Sequence, residues 1–112
     1  MPEKFDDFMS SLLGELQGLT GEVLQQFQEE GFRGGQQFLN DIREDLEHWT
    51  NAVAEGSIDQ EDFEWLLKSK RDLAVMQELR DKGLSHIELQ QFADKLLTLT
   101  FTAAIKFFIT IP

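Results

Sequence analysis

Cysteine is absent from this chain of 112 residues, and proline occurs only at positions 2 and 112. The absence of cysteine excludes disulfides, thiolate metal sites and thiol nucleophiles together, and it is typical of proteins from a reducing compartment. The absence of interior proline means that no helix is interrupted by a missing backbone N–H group. Long helices are therefore open to this chain.

Basic residues are also scarce, since 10 lysines and arginines stand against 21 aspartates and glutamates. The formal net charge of −11 repels the phosphates of nucleic acids and anionic lipids, which argues against a polyanion as the partner. The N-terminus, MPEKFDDF, carries acids where a secretory signal carries basic and apolar residues. We therefore expect one domain over residues 1–112, located in the cytoplasm, with no nucleic-acid partner.

Glycines divide the chain into four predicted helical segments, of which the first covers residues 1–30. Its apolar residues recur every three or four positions and form one stripe: Phe5, Met9, Leu12, Leu16, Leu19, Val23 and Phe27. Gly14 and Gly18 lie on the opposite face, where we expect them to face solvent and weaken the helix. The stretch GFRGG, Gly31–Gly35, predicts a hinge before a bundle over residues 36–111.

The three segments of this bundle have recognisable ends. The second carries an apolar stripe and ends near Gly56, a residue type typical of the helix C-terminus: Leu39, Ile42, Leu46, Trp49 and Val53 form the stripe. The third begins at Asp59, an N-cap residue type, and ends at Gly83. The fourth begins with Ser85 and Glu88, whose spacing predicts a capping box.

The C-terminal segment Leu97–Ile111 fits two structures, because its apolar residues alternate as in a strand and also continue the helical face of segment four. We favour the helix, since no upstream segment offers a partner strand. In either structure the segment has a second apolar face that needs cover: Phe101, Ile105, Phe108 and Ile109. It is shorter than the ~20 apolar residues of a membrane-spanning helix and contains Lys106.

No residue pattern in the chain predicts an enzyme. Asp45 and His48 have the one-turn spacing of di-iron helical bundles, but no second such pair exists, and an ordinary surface histidine is expected. His86 lies at a helix start without a nucleophile or an orienting partner. No serine stands in a GxSxG context, and the glycines match neither phosphate-binding fingerprint. We therefore assign no catalytic, metal-binding or cofactor-binding residue.

Trp65 lies away from Phe63 and Leu66 on the helical wheel, near Met76. One interpretation is packing of a middle helix on a second neighbour within the chain. The other is an anchor in a protein–protein interface, where Trp, Met and Arg are enriched. The pattern does not choose between them.

These observations predict an all-α protein, a small bundle of three to four helices with a long amphipathic N-terminal helix, assembled as an oligomer. The expected function is a non-enzymatic interaction or assembly protein, with itself or another protein as partner. The interface candidates are Leu12, Leu16, Leu19, Val23, Phe27, Trp65, Met76, Phe101, Ile105, Phe108 and Ile109. The alternative is a peripheral membrane component that uses the N-terminal helix or the apolar C-terminal segment. Whether the first helix packs on its own bundle or on another chain stays open.

Overall fold

The computed structural model describes the backbone of residues 2–71 and 77–109 and the side chains of residues 5–71 and 79–108. Every regular element within these ranges is a helix. In chain order they are α1 (Pro2–Val23), a 3₁₀ turn (Gln25–Phe27), α2 (Gln28–Asp41), α3 (Arg43–Glu55), α4 (Gln60–Lys68), α5 (Gln77–Asp81), α6 (His86–Ala104) and a π turn (Ile105–Ile109). The all-α prediction is confirmed for these ranges, and the C-terminal segment is helical through Ile109.

Helices α1 and α2 form an antiparallel hairpin, and two glycines of α2 lie in close contact with the opposite side of it. A methyl group at Gly31 would lie 2.0 Å from Cδ1 of Leu24, and one at Gly35 would lie 2.8 Å from Cδ2 of Leu16. As α2 advances from Gly31 to Gly35, the contact on α1 moves back from Thr20 to Leu16, so the two helices run in opposite directions. Only glycine leaves the room for this close approach.

The predicted hinge at Gly31–Gly35 is therefore wrong, because α2 runs through it without a break. The chain reverses earlier, at residues 24–27, where Gln25 adopts a φ of +47°. The N-terminal helix predicted over residues 1–30 likewise ends at Val23. Packing against α1 offsets the helix-weakening cost of the two glycines, so they mark a contact face and not a turn.

The second predicted segment is bent at Ile42, which separates α2 from α3. Ile42 has φ −100° and ψ 6°, yet its N–H donates to the Phe38 carbonyl at 3.1 Å and its carbonyl accepts from the Leu46 N–H at 2.7 Å. Hydrogen bonds of helical spacing thus continue across the bend. Ile42 and Leu46 are fully buried, which confirms the predicted core stripe in its central part.

The predicted helix ends are confirmed at four positions. The Asp62 N–H donates to Asp59 Oδ1 at 2.8 Å, and the Glu88 N–H donates to Ser85 Oγ at 3.1 Å. Gly56 and Gly83 have φ of +83° and +102°, the left-handed conformation that ends a helix. The third predicted segment is not one helix, however, because α4 ends at Lys68 and a turn follows it.

The core lies where α6 contacts α1, α4 and α5. Four phenylalanines from four different helices are at most 1% exposed: Phe8, Phe38, Phe63 and Phe92. Burial of each such side chain stabilises the fold by ~1.5–3 kcal/mol. The buried Thr100 hydroxyl donates to the Leu96 carbonyl at 2.8 Å, so α6 carries a polar group into the core with its hydrogen bond made.

Candidate interaction surface

Helix α4 presents one large aromatic side chain to solvent. Trp65 is 72% exposed, whereas Phe63 and Leu67 on the same helix are each 1% exposed. Residues 63 and 67 are one turn apart and face the core together, while residue 65 lies half a turn away from both. The position of Trp65 thus follows from which face of α4 the core uses.

A groove of about 470 Å³ runs between α4 and α6, and residue 64 beside Trp65 contributes to its rim. Its apolar lining comes from both helices, with Leu67 from α4 and with Leu97 and Phe101 from α6. Leu67 and Leu97 are buried, and Phe101 is half-buried. The groove therefore has an apolar floor that joins the core.

Two ion pairs form the rim of this groove. Lys68 Nζ lies 3.4 Å from Glu64 Oε2 along α4, and Arg71 Nη2 lies 3.1 Å from Asp94 Oδ1 across to α6. All four side chains are more than 40% exposed. Such exposed pairs contribute only ~0–1 kcal/mol each, so a partner that rearranges them loses little.

Charge is distributed unevenly along the chain. The strongly acidic part of the sequence ends within α4, and the part that follows has slightly more bases than acids. Residues 1–67 contain 16 acids and 3 bases, whereas residues 68–112 contain 5 acids and 7 bases. The groove lies where the two parts meet, and its rim carries two acids, Glu64 and Asp94, against two bases, Lys68 and Arg71. A partner surface with acids is thus repelled less at this groove than at α1, α2 or α3.

The interface candidates on the first helix are covered to different extents by this chain itself. Leu12 and Leu16 are fully buried. Leu19, Val23 and Phe27 are half-buried and pack against the same core. In the single chain the first helix thus packs on its own bundle.

The C-terminal candidates also contact the core. The ring centroids of Phe101 and Phe63 are 5.5 Å apart, and those of Phe108 and Phe8 are 5.0 Å apart. Ile105 is half-buried against the core. The backbone of Ile109 belongs to the π turn, but its side chain and all of Met76 lie outside the described residues. Of the candidates whose side chains are described, Trp65 is the one that solvent reaches most.

The two histidines lie on the surface. His48 is exposed, and the Asp45 carboxylate one turn before it lies 3.1 Å from Lys70 Nζ. His86 Nε2 lies 2.9 Å from Nε2 of Gln90 on the next turn of α6. Among the side chains that the structure describes, no three histidine, aspartate or glutamate residues come together as a metal ion requires.

Two features escaped the sequence patterns. Ile87 is 67% exposed in the first turn of α6, and only its place directly after Ser85 and His86, inside a capping box, marks it as facing solvent. Gly31 and Gly35 carry the four-residue spacing that permits close helix contact. Gly14 and Gly18 have the same spacing, yet a methyl group at either of those would meet nothing within 4 Å.

None of the helices in the described part of the chain is long and apolar enough to cross a membrane. Comparison with protein-family models, with curated proteins and with solved structures finds no match to this chain.

Proposed function

We propose that this chain is a non-enzymatic interaction or assembly protein that acts as a homo-oligomer or as an adaptor, and that it binds another copy or another protein through Trp65 and the α4–α6 groove. The observation that carries the proposal is the 72% exposure of Trp65 on a helix whose Phe63 and Leu67 are each 1% exposed. Tryptophan and arginine are enriched in interface hot spots, and Trp65 lies on the same helix as part of the groove to which Arg71 contributes.

The groove supports a helix as the bound element. An amphipathic helix places its apolar residues on a groove floor such as Leu67, Leu97 and Phe101, and its polar residues along the rim. The rim offers both signs of charge, with Lys68 and Arg71 beside Glu64 and Asp94. We therefore expect the partner helix to carry both acids and bases next to its apolar face.

The acidic remainder of the surface supports selectivity. The formal net charge of −11 repels nucleic acids and anionic bilayers. Repulsion between copies of the same charge also keeps the protein in solution. The same charge slows association between copies. Electrostatic repulsion between two copies is therefore weakest when they meet through the less acidic α4–α6 side.

A protein partner is favoured over a bilayer by the burial of the first helix. Membrane insertion of α1 requires Leu12 and Leu16, which are fully buried, to leave the core. Its exposed face carries Asp6, Asp7 and Glu15, where interfacial helices carry lysine and arginine. Flotation with neutral and with anionic liposomes checks this, and we expect the protein to stay in the dense fraction with both.

Site-specific photo-crosslinking tests the proposed surface. A photoreactive phenylalanine analogue replaces Trp65 in one variant and Ile87 in a matched control, and both are expressed in the cell that makes the protein. We expect protein adducts from position 65 that are absent or much weaker from position 87, which is similarly exposed at 67%. Equal yields from the two positions, or none from either, would contradict the proposal.

A second measurement uses the native indole. In the background W49F, Trp65 is the one remaining tryptophan, because the chain has two. Acrylamide quenches its fluorescence strongly in the unbound chain, and we expect bound partner to reduce that quenching. The variant Trp65→Ala should lose the partner, whereas Ile87→Ala should retain it.

A further inference from the structure

The turn between α1 and α2 is built from residues that ordinarily form helix. It reads Leu24-Gln25-Gln26-Phe27-Gln28, without the Gly, Pro, Asn, Asp or Ser that dominate turns. Gln25 nevertheless has a φ of +47°, a left-handed conformation that residues with a Cβ atom adopt at an energetic cost. We name residues 24–28 the elbow.

The elbow also lies within an unbroken helical pattern. Leu16, Thr20, Leu24 and Gly31 face α2 or α1 across the hairpin, and Phe27 stands in the same three- and four-residue rhythm. Leucine and glutamine are strong helix formers, so the local sequence favours a helix that continues through the elbow. Straightening it would join α1 and α2 into one helix from Pro2 to Asp41.

Helices α1 and α2 pack antiparallel in the hairpin. Two straightened chains can therefore form the same kind of contact between α1 of one chain and α2 of the other. Gly21 lies opposite Gln28, Gly31 opposite Leu24 and Thr20, and Gly35 opposite Leu16. If two straightened chains cross in opposite directions at their elbows, α1 of each chain meets α2 of the other in the same register. The bond between Arg43 and Asp6, which joins the start of α3 to α1, would also form between chains.

We propose that the partner for the α2 glycine face is α1 of a second copy, exchanged through the straightened elbow to give a two-fold dimer. The contacts of Leu16 with Gly35 and of Thr20 with Gly31 are kept between the chains, and two left-handed glutamines are released. Leu24 and the half-buried Phe27 of both chains meet at the two-fold axis, where association covers them further. This dimer goes beyond the Trp65 surface and does not rest on it.

Closed and exchanged forms differ chiefly at the elbow, so their balance depends on concentration and on residue 25. The closed chain pays no entropy of association, and dilution favours it. The exchanged dimer has no left-handed residue at position 25, and concentration favours it. Short strained connections are the usual place where such exchange begins.

Three substitutions at one position test the balance in the full-length chain. Gln25→Gly removes the left-handed cost and weakens the straight helix, so the dimer dissociation constant should rise by roughly ten-fold for each of the two elbows. Gln25→Ile makes a positive φ far more costly and should lower the constant. Gln25→Ala is the control, because alanine, like glutamine, has a Cβ atom and forms helix well.

Light scattering after size exclusion, across a range of protein concentrations, measures these constants. We expect the fraction of dimer at a given concentration to be highest with isoleucine at position 25, intermediate with glutamine or alanine, and lowest with glycine. Wild type and Gln25→Ile chains that both remain monomeric at the highest concentration would overturn it, as would a glycine variant that dimerises as strongly as wild type.

A charge exchange separates a swapped dimer from any other. One chain carries Asp6→Arg and a second carries Arg43→Asp, so each alone places like charges where Arg43 and Asp6 now bond. In a swapped heterodimer both inter-chain pairs are opposite in charge again. The two variants are mixed in equal amounts and refolded together from urea. Native mass spectrometry should then show that heterodimers make up more than half of all dimers, which is the fraction expected from random pairing.

The outcomes distinguish this proposal from the proposed function. If heterodimers and homodimers form in the statistical ratio, the helix exchange is contradicted even when dimers are abundant. Such a ratio means that the dimer contact does not involve positions 6 and 43. If Trp65→Ala abolishes dimerisation while the Gln25 series has no effect, the Trp65 surface is the contact between copies. If the Gln25 series acts and Trp65→Ala does not, the exchange stands and Trp65 serves a different partner.

Discussion

Gly35 on α2 lies so close to Leu16 on α1 that an added methyl group would be 2.8 and 2.9 Å from the two Cδ atoms of that leucine. Leu16 is fully buried, so its side chain can shift only by displacing other side chains of the core. This contact sets how closely α1 and α2 approach. The glycines of α2 therefore act through packing between helices and not through backbone flexibility.

Alanine at these glycines should destabilise the protein, although alanine favours helix. We expect Gly31→Ala and Gly35→Ala to lower the free energy of unfolding by about 1–2 kcal/mol each, since the cost of overpacking exceeds the gain in helix propensity. Urea denaturation followed by circular dichroism measures this. Gly14→Ala and Gly18→Ala are matched controls with open space around them, and each should stabilise by about 0.5–1 kcal/mol. The same sign in both pairs would contradict the packing argument.

Trp65 should contribute little to the stability of the isolated chain. Because its side chain is 72% exposed, Trp65→Ala should change the free energy of unfolding by no more than about 0.5 kcal/mol. Phe63→Ala, two residues earlier and 1% exposed, should cost about 3–5 kcal/mol. Thermal denaturation of both variants checks the contrast. A large loss for Trp65→Ala would show that the indole packs within the chain.

The capping side chains should have measurable effects at the starts of α4 and α6. Asp59→Ala and Ser85→Ala each leave a backbone N–H group without the side-chain oxygen that now accepts from it. We expect each to lower the free energy of unfolding by about 1 kcal/mol. Ser57→Ala, at an exposed position outside any helix, is the control and should have an effect close to zero. Equal effects of all three would count against the capping boxes.

Salt should stabilise the protein. Repulsion within a chain of net charge −11 opposes the compact state, and salt screens it. We expect the urea midpoint to rise when NaCl increases from about 10 mM to about 150 mM, over which the Debye length falls from ~30 to ~8 Å. The exposed ion pairs, such as Lys68–Glu64 and Arg71–Asp94, weaken in salt. A falling midpoint would show that these pairs outweigh the repulsion.

The π turn should depend on α1 for its position. The Phe8 ring lies 5.6 Å from that of Phe107 and 5.0 Å from that of Phe108. Phe8→Ala should cost about 3–5 kcal/mol of unfolding free energy. Hydrogen exchange should also accelerate at the Ile105–Ile109 amides more than at those of α4. Phe8→Leu, which keeps most of the volume, should have a smaller effect on both measurements.

Local patterns were sufficient for four helix ends. Ser85 with Glu88, and Asp59 with Asp62, are short-range signals whose hydrogen bonds involve residues three apart. Gly56 and Gly83 were identified for the same reason, because a left-handed residue ends a helix whatever surrounds it. The apolar stripe of Leu39, Ile42 and Leu46 predicted burial correctly, since helical periodicity places such residues on one face.

The errors came from features that depend on distant residues. Gly31 and Gly35 resemble a hinge until Leu24 and Leu16 are seen against them. The elbow carries no turn residue, and Gln25 accepts a left-handed conformation only because the reversal buries the α1 stripe on α2. For the candidate surface, periodicity placed Trp65 away from the core face, but it could not show that the indole remains exposed.

The sequence by itself determined that the chain is helical, where four helix ends lie, and that the surface is acidic, because these follow from neighbours within a few residues and from composition. Only the tertiary structure decided that α1 folds back on α2, that two glycines form the contact between them, and that the C-terminal segment is covered by Phe5 and Phe8. Those choices depend on side-chain contacts between residues far apart in the chain, whose energies no local pattern contains.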